Sequence, residues 1–207
     1  MLRIATFDIG KKNFAFVVHE FEKKQLEDTK TKDELFKIGQ IILFENVNLT
    51  KGCKKCYLDP RTFINMTDTL DERKDIWDTC SAFVIEQQMS FGKKRNTMAL
   101  KLGQHCYSYF SIFYRDFKKV IEFPSYHKTQ MLDAPKKFGS IKKTYKNGNS
   151  KMIKDNHKKW SIRLATEILE KKGDEKHLEV LNKMKKKDDV SDCLLMVYAY
   201  ILLGRKK

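Results

Sequence analysis

The sequence lacks the long apolar runs that membrane-spanning and exported chains carry. No stretch approaches the roughly 20 apolar residues of a membrane span, so we expect no membrane partner. The N-terminus has no charged segment followed by a long apolar run and a cleavage site, and we therefore expect an intracellular protein that is not secreted. The five cysteines are odd in number and mostly lie among apolar residues, which indicates reduced thiols rather than disulfides.

Cys53 and Cys56 have the spacing of half a zinc site, but the sequence has little to complete it. A structural zinc needs four ligands, usually from a second pair at comparable spacing. The histidines are scattered singly, and Cys80, Cys106 and Cys193 lie on predicted apolar faces. The sequence therefore predicts no zinc site.

Acidic residues are few beside the basic ones. The chain has 42 Lys and Arg against 27 Asp and Glu, which leaves a formal net charge of +15. Such an excess favours a polyanionic partner, and nucleic acid is the obvious candidate. A solvated, lysine-rich surface is the alternative, and charge alone does not decide between the two.

The patterns of apolar residues predict one α/β domain that covers residues 1–207, without repeats or a linker. Two β-branched and aromatic runs joined by GKK predict an opening hairpin, and SAFVIEQ is typical of a strand buried on both faces. Strands are predicted at 2–9, 13–19, near 37–45, 82–87 and 119–123, and helices at about 59–78, 95–116, 156–171 and 188–203. This order predicts a mixed five-stranded sheet flanked by helices, as in ribonuclease H-like folds.

The helix predicted at 95–116 is more apolar than one packing face requires. Met98, Leu102, Cys106 and Tyr109 form a stripe at helical spacing, which further aromatic residues widen. The pattern predicts a helix that buries two faces.

Lysines dominate the segment from about 134 to 154, which has seven lysines and no acidic residue. Its composition and its turn-forming residues predict a mobile basic loop rather than core. If nucleic acid is the partner, binding would use this loop and its neighbours, and a solvated charged surface is again the alternative. The lysines concerned are Lys128, Lys136, Lys137, Lys142, Lys143, Lys146, Lys151, Lys154, Lys158 and Lys159.

Four carboxylates stand where a catalytic site would need them. Asp8 lies on the first predicted strand, Glu86 ends the fourth, and Asp189 and Asp192 open the last helix. Residues three apart on a helix share a face, so the last two side chains can point together toward the sheet. Asp188, four residues before Asp192, could replace Asp189 on the same argument, and we prefer Asp189.

The acids indicate a site for a divalent cation. If the fourth strand packs parallel to the first, Asp8 and Glu86 come within reach of one ion. Clustered carboxylates without a cation would repel each other and take up protons. Hard oxygen ligands select Mg²⁺ or Mn²⁺, and two such ions about 4 Å apart can support hydrolysis of a phosphodiester. The alternatives are a turn residue at Asp8 and helix N-terminal acids at Asp188 and Asp189.

Four strings carry a resemblance to a known family. FDIG contains Asp8, VIEQQ contains Glu86, ALKLGQ covers 99–104, and DDVSDCLLM contains Asp189 and Asp192. Together, in this order and across nearly the whole chain, they resemble the motifs of the RuvC-type Holliday junction resolvases, which have an RNase H-like fold. The length and the IEQQ form are most similar to the poxvirus branch and its relatives in other large DNA viruses, and fungal mitochondrial resolvases are a more distant match.

The resemblance implies an Mg²⁺-dependent endonuclease, with Mn²⁺ able to substitute. Such an enzyme would cut four-way and other branched DNA by paired nicks, in recombination, replication and the resolution of genome concatemers. Asp8, Glu86, Asp189 and Asp192 would hold the metal, and a homodimer would bring two sites to the junction. For a viral member, the compartment would be the host cytoplasm or a virus factory.

The resemblance also assigns the 95–116 helix to the dimer contact, where Gly103 would let partner helices approach closely. The residues expected at this interface are Met98, Leu102, Gly103, Cys106, Tyr109 and Phe113. Bacterial members have a basic residue at the start of the helix before the last, and Lys159 or Lys158 stands at that place here. The segment 21–36 and the region around Cys53 have no clear counterpart in the bacterial pattern.

Three other functions compete with this interpretation. An actin-like ATPase or kinase would need further glycine-rich phosphate loops, and the nine glycines form no such cluster. Another RNase H-like nuclease, acting on RNA–DNA hybrids or RNA, could use the same four carboxylates, although ALKLGQ weighs against it. A DNA-binding subunit without catalytic activity would have no reason to gather four acids beside phosphate.

Overall fold

The computed structural model describes residues 1–54, 59–88, 96–144 and 150–205, with the backbone alone for 141–144 and 150–154. The strands are β1 (Leu2–Asp8), β2 (Phe14–Phe21), β3 (Gln40–Val47), β4 (Ala82–Glu86), β5 (Lys119–Phe123), β6 (Ser140–Thr144) and β7 (Ser150–Lys154). The helices are α1 (Lys23–Asp28), α2 (Lys32–Lys37), α3 (Arg61–Asp71), α4 (Lys74–Trp77), α5 (Thr97–Tyr114), α6 (Ser125–Met131), α7 (His157–Lys172), α8 (Glu175–Lys183) and α9 (Asp188–Arg205).

The main sheet has five strands in the order β3-β2-β1-β4-β5, which confirms the predicted mixed sheet. β1 pairs antiparallel with β2 and parallel with β4, and β4 pairs parallel with β5. The most apolar strands lie at the centre because both of their faces are covered. Phe7 of β1 pairs with Ile85 of β4, so the carboxyl ends of these two strands meet at one edge of the sheet.

Each face of the sheet has its own apolar core. On one face α9, α7 and α8 pack in a cluster that includes Ile4, Val84 and Leu194. On the other face α3, α4 and α5 pack in an aromatic cluster, where Phe83 stacks on Phe110 with ring centroids 4.1 Å apart. Helices on both faces of a sheet are the layered arrangement that the sequence pattern predicted. Among the described residues, none of the helices is both long and apolar enough to span a membrane.

The helix predicted at about 59–78 is interrupted. α3 ends at Asp71, and α4 begins at Lys74, after Arg73 has adopted a non-helical conformation (φ −119°, ψ 18°). The interruption lets Trp77 turn back, so that its indole N–H donates to the carbonyl of Leu70 over 2.7 Å. Helical spacing continues through the break, which is why the pattern suggested a single helix.

The basic segment at about 134–154 is not wholly a loop, and this corrects the prediction. Its residues form the antiparallel hairpin β6–β7, in which Ser140 pairs with Lys154. The high lysine content of the segment is what suggested a loop. The short helices α1, α2, α6 and α8 were also not predicted.

The cysteines that the structure describes are free thiols. Cys80, Cys106 and Cys193 are buried in the apolar cores, as predicted. Cys53 is partly buried, and its Sγ lies 3.4 Å from the hydroxyl of Thr62. Cys56 lies outside the described residues.

Candidate active site

Three predicted acids meet at the carboxyl edge of the central strands. Asp8 ends β1 and Glu86 ends β4, and the parallel pairing of these strands brings the two carboxyl groups together. Asp192 on α9 is near as well, because its charge and that of Glu86 add to the effect of burial in raising the pKa of Asp8. Three of the four acids that the sequence predicted for the site, Asp8, Glu86 and Asp192, thus lie close together at this edge.

The start of α9 is fixed to the sheet beside these acids. The buried hydroxyl of Thr6 on β1 donates to the carbonyl of Cys193 over 2.9 Å. The thiol of Cys193 donates in turn to the carbonyl of Ala15 over 3.3 Å. Because Asp192 directly precedes Cys193, these two contacts also fix the position of the Asp192 backbone from which its side chain extends.

A buried lysine lies among the carboxylates. Lys128 of α6 is only 5% exposed, and its Nζ lies 2.9 Å from Oδ1 of Asp192 and 3.5 Å from Oε1 of Glu86. The sequence prediction grouped Lys128 with the lysines of the basic segment, whereas the structure places it among the acids. The reason is α6, which follows β5 and was not predicted, and which turns Lys128 back toward the edge of the sheet.

The electrostatics of this cluster are those of excess negative charge. Burial, together with the nearby carboxylates of Glu86 and Asp192, raises the pKa of Asp8 well above its usual range, and Lys128 opposes this only in part. Burial alone would lower the pKa of Lys128, but the same three carboxylates raise it above its ordinary value. Lys128 is therefore a fixed cation, and the site still holds more negative than positive charge.

The neighbouring acids Asp188 and Asp189 have different surroundings. Asp188 is 8% exposed and contacts Nζ of Lys158 at 2.5 Å and Nζ of Lys186 at 3.5 Å. Although burial opposes it, this contact with Lys158 lowers the pKa of Asp188. Burial, and then the charge of Asp188, raise the pKa of Asp189.

One carboxylate oxygen of Asp189 has no hydrogen-bond donor among the described residues. This oxygen, Oδ2, is buried, and Nζ of Lys186 lies 4.0 Å away. A buried carboxylate oxygen without a donor is costly. Asp188 has close ion pairs, whereas Oδ2 of Asp189 has no hydrogen-bond donor among the described residues and only a distant ion pair with Lys186, and this difference favours Asp189 as the residue with a ligand to bind.

Sequence reasoning also missed Ser161. This residue of α7 is 1% exposed, and its hydroxyl donates to Oδ1 of Asp192. A lone serine within a helical pattern gives no signal of such a contact. Only the packing of α7 on α9 brings the two residues together.

Carboxylate oxygens are the chemistry that this site offers to a metal. Hard cations such as Mg²⁺ and Mn²⁺ prefer such ligands. The unsatisfied Oδ2 of Asp189 and the crowding of Asp8 by Glu86 and Asp192 both fit a divalent cation. In the described part of the chain, no group of three or more His, Cys, Asp or Glu side chains stands as a ready ligand set. Lys128, which contacts two of the acids, lies between them instead.

The remaining predicted lysines differ in how exposed they are, and some lie outside the description. Lys136 and Lys137 are exposed in the segment before β6, and the side chain of Lys158 is 65% exposed although it contacts Asp188. Lys159 is partly buried near the start of α7. The side chains of Lys142, Lys143, Lys151 and Lys154, and the whole of Lys146, lie outside the description.

The predicted dimer stripe lies inside the chain, and this corrects the prediction. The side chains of Met98, Leu102, Cys106 and Tyr109 are at most 6% exposed, because α5 lays them on the aromatic face of its own sheet. Of the residues expected at the interface, Phe113 is the exposed one, at 51%.

Gly103 is likewise buried within the chain. A Cβ there would lie 3.5 Å from Cγ of Gln88 and 3.9 Å from Cγ1 of Ile9. Its missing side chain therefore serves the approach of α5 to its own sheet rather than to a partner helix.

Comparisons with known proteins give relatives and structural neighbours. No family model matches the chain. Uncharacterized protein 170L of Invertebrate iridescent virus 6 is 38% identical over 230 residues, with 98% of this chain and 91% of that protein covered. Uncharacterized protein 97L of Invertebrate iridescent virus 3 is 31% identical, with 95% and 98% covered.

Several solved structures share the fold. The Fowlpox virus resolvase in complex with substrate Holliday junction DNA has a TM-score of 0.56 at 20% identity, with all of both chains covered. The yeast mitochondrial Holliday junction resolvase Ydc2 has a TM-score of 0.58 at 16% identity, with 99% of this chain and 81% of that chain covered. Thermus thermophilus RuvC has a TM-score of 0.58 at 12% identity, with 99% and 96% covered. The chain thus belongs to the family of the iridescent virus proteins 170L and 97L, and it has the RNase H-like fold of the RuvC-type Holliday junction resolvases.

Proposed function

We propose that this chain is a divalent-metal-dependent endonuclease that resolves four-way and other branched DNA by paired nicks. The observation that carries the proposal is the convergence of Asp8, Glu86 and Asp192 around buried Lys128. The fold supports it, since the Fowlpox virus resolvase and Thermus RuvC were both crystallised with Holliday junction DNA. The physiological roles that follow are recombination, replication and the resolution of genome concatemers.

The metal would be held by Asp8, Glu86, Asp189 and Asp192. Mg²⁺ is the expected ion and Mn²⁺ a substitute, because both prefer oxygen ligands. When bound, such an ion activates a water molecule and stabilises the leaving oxygen of a phosphodiester. Asp189 supplies an oxygen that has no hydrogen-bond donor in the described part of the chain, which is a further reason to prefer it to Asp188.

Lys128 has two tasks in this proposal. Its ammonium group balances part of the charge of Glu86 and Asp192, which lets three carboxylates remain close together. It also brings a hydrogen-bond donor to the place where a phosphate oxygen would approach the acids. Because the side chain is 5% exposed, it is already desolvated and directed before DNA binds.

Asp188 would serve the site without binding metal. It holds Lys158 of α7 and Lys186 of the segment before α9 beside the acids. Together with exposed Lys136 and Lys137, these lysines would attract the phosphates of a DNA strand. The net charge of +15 supports this reading.

A homodimer remains part of the proposal, because paired nicks in a four-way junction need two sites related by symmetry. Since the predicted stripe is buried, the interface we propose uses the exposed apolar side chains at and just after the end of α5. Ile112, Phe113 and Phe117 are exposed by 68%, 51% and 86%.

A panel of labelled substrates tests the proposed function. The protein is incubated with a four-way junction, a linear duplex and an RNA–DNA hybrid, each with Mg²⁺ or with EDTA. We expect cleavage of the junction only, and only with Mg²⁺. Asp192→Asn should abolish cleavage while junction binding stays equal or becomes tighter, because a negative charge near phosphate is lost.

Asp116→Asn is the matched control, because Asp116 is an exposed acid in the turn after α5 whose described ion pair is with Arg115. This variant should cut like the wild type. An intact junction in both Mg²⁺ and Mn²⁺ would refute the proposed function. Preferential cleavage of the hybrid would instead favour the alternative of an RNase H-like nuclease that acts on RNA–DNA hybrids or RNA.

A further inference from the structure

Ser161 makes an unusual contact for a helical serine. A serine or threonine within a helix commonly returns its hydroxyl to the carbonyl four residues before it. Thr166 on the same helix does so with Ile162 over 2.9 Å, and Ser191 on α9 does so with Lys187 over 2.7 Å. Ser161 instead donates to Oδ1 of Asp192 on the neighbouring helix, at a position that is 1% exposed.

This contact lies beside a second one between α7 and the start of α9. Lys158 contacts Asp188, and Ser161 contacts Asp192. The residues are three apart on α7 and four apart on α9, so each pair lies on one helical face. The helices are therefore held in register at the point where α9 meets the acidic cluster.

Ser161 and Lys128 act on the same oxygen of Asp192. Both donate to Oδ1, the hydroxyl from α7 and the ammonium from α6. Two donors on one oxygen fix the rotation of the carboxylate about its last bond. With Oδ1 held in this way, Oδ2 is the oxygen of Asp192 that we expect to face a cation.

We propose that Ser161 is a positioning residue that orients Asp192 for metal binding. This inference depends on the proposed function, since it takes Asp192 to be a metal ligand. Ser161 would not touch the metal or the DNA itself. It would reduce the freedom of the Asp192 side chain before the cation binds, so that less ordering remains to be done on binding.

Metal binding measured without DNA tests this directly. The free Mn²⁺ signal in electron paramagnetic resonance is titrated with wild type, Ser161→Ala and Ser161→Cys. Loss of a hydrogen bond that orients a metal ligand typically weakens binding by about 10-fold or more, and we expect a change of about tenfold for the alanine variant. The cysteine variant keeps the size of the side chain with a weaker donor, and it should fall between the two.

Thr166→Ala is the matched control, because it removes a hydroxyl from the same helix whose described contact is with the backbone of α7. It should bind Mn²⁺ like the wild type. Ser161→Ala should also add nothing to Asp192→Asn, because it acts through that carboxylate. In cleavage, the Mg²⁺ concentration needed for half-maximal rate should rise about tenfold and junction affinity should stay unchanged.

The outcomes separate the two proposals. If the wild type binds Mn²⁺ and cuts junctions while both Ser161 variants bind Mn²⁺ equally well, the role of Ser161 is refuted and the proposed function stands. A Ser161→Ala effect that persists undiminished in the Asp192→Asn background would also refute it. If the wild type neither binds Mn²⁺ nor cuts, the proposed function fails, and the role of Ser161 fails with it.

Discussion

The two faces of the sheet are both covered by helices, but they differ in what their polar groups do. On the face covered by α5, the buried polar groups end on partners within the chain. Tyr109 donates to Asp71 over 2.6 Å, and Tyr114 donates to Asp78 over 2.7 Å. Lys118 donates to backbone carbonyls before β4. These contacts fasten α5 and the turn after it to the segment before β4, and each of these polar groups has a partner within the chain.

On the face covered by α9, the polar groups do not balance. The carboxylates of Asp8, Glu86 and Asp192 gather near the ammonium group of Lys128, and a buried oxygen of Asp189 has no donor among the described residues. Burying such groups without compensation is unfavourable. We infer that a network in which every buried polar group has a partner indicates a structural role. A cluster at a sheet edge with excess negative charge and a buried oxygen without a donor indicates a binding site.

After the loss of cleavage expected for Asp192→Asn, the largest effect should come from the adjacent acids Asp188 and Asp189. Asp188 has close ion pairs, whereas Asp189 has a buried oxygen without a described donor. Asp189→Asn should slow junction cleavage by more than about a hundredfold, since loss of a ligand exceeds loss of a group that supports one. Asp188→Asn should be much milder, because it removes a contact with Lys158 rather than a ligand. Single-turnover rates at saturating protein measure both. The opposite order would mean that Asp188 holds the metal.

Lys128→Met should change stability in a manner that depends on metal. Removing one partner of a buried ion pair costs about 3 kcal/mol, because three carboxylates are then left without a cation. Urea unfolding in EDTA should show most of this loss, and saturating Mg²⁺ should restore much of it. Lys137→Met, which alters an exposed lysine, should change neither value. An equal loss in both conditions would contradict a metal site at these acids.

A buried histidine on β2, away from the acids, gives a pH effect of intermediate size. Burial, and then the charge of Lys172, hold the pKa of His19 well below its usual range. The unfolded chain therefore takes up a proton near pH 6.5 that the folded chain does not, and the free energy of unfolding falls as the pH drops below that value. The slope due to His19 reaches about 1.4 kcal/mol per pH unit. His19→Gln should remove that part of the slope, and identical slopes in the two proteins would contradict the assignment.

The smallest effect should come from the closed network. Tyr114→Phe removes the hydroxyl that donates to Asp78 and should lower the free energy of unfolding by about 1 kcal/mol. Cleavage and Mn²⁺ binding should be unchanged, because no group of the acidic cluster is touched. A loss of cleavage in a variant that is still folded would break the distinction between the two faces.

Much of the fold could be predicted from the sequence because its signals are local. The central strands are short apolar runs, and Asp8 and Glu86 stand at their ends, where parallel pairing brings them together. The face that α5 presents could not be predicted, since periodicity identifies an apolar stripe and not what covers it. The residues of that stripe serve the chain's own core rather than a partner.

The remainder of the site depends on contacts between distant segments. Lys128 and Ser161 reach Asp192 from α6 and α7, and neither residue type is distinctive at its position in the sequence. A cluster of acids does predict a positive charge nearby, but the sequence does not show which of the 42 Lys and Arg side chains supplies it. Such positions follow only from how the helices pack.

If the acids around Lys128 form an active site for branched DNA, the positions of the nicks in a four-way junction will reveal it. A four-way junction is labelled on each strand in turn, incubated with the protein and Mg²⁺, and resolved at single-nucleotide resolution. We expect paired nicks at symmetric positions on two strands of like polarity, and no nicks in EDTA or with Asp192→Asn. Cleavage that persists in EDTA or with Asp192→Asn, or no nicks with either Mg²⁺ or Mn²⁺, would contradict it.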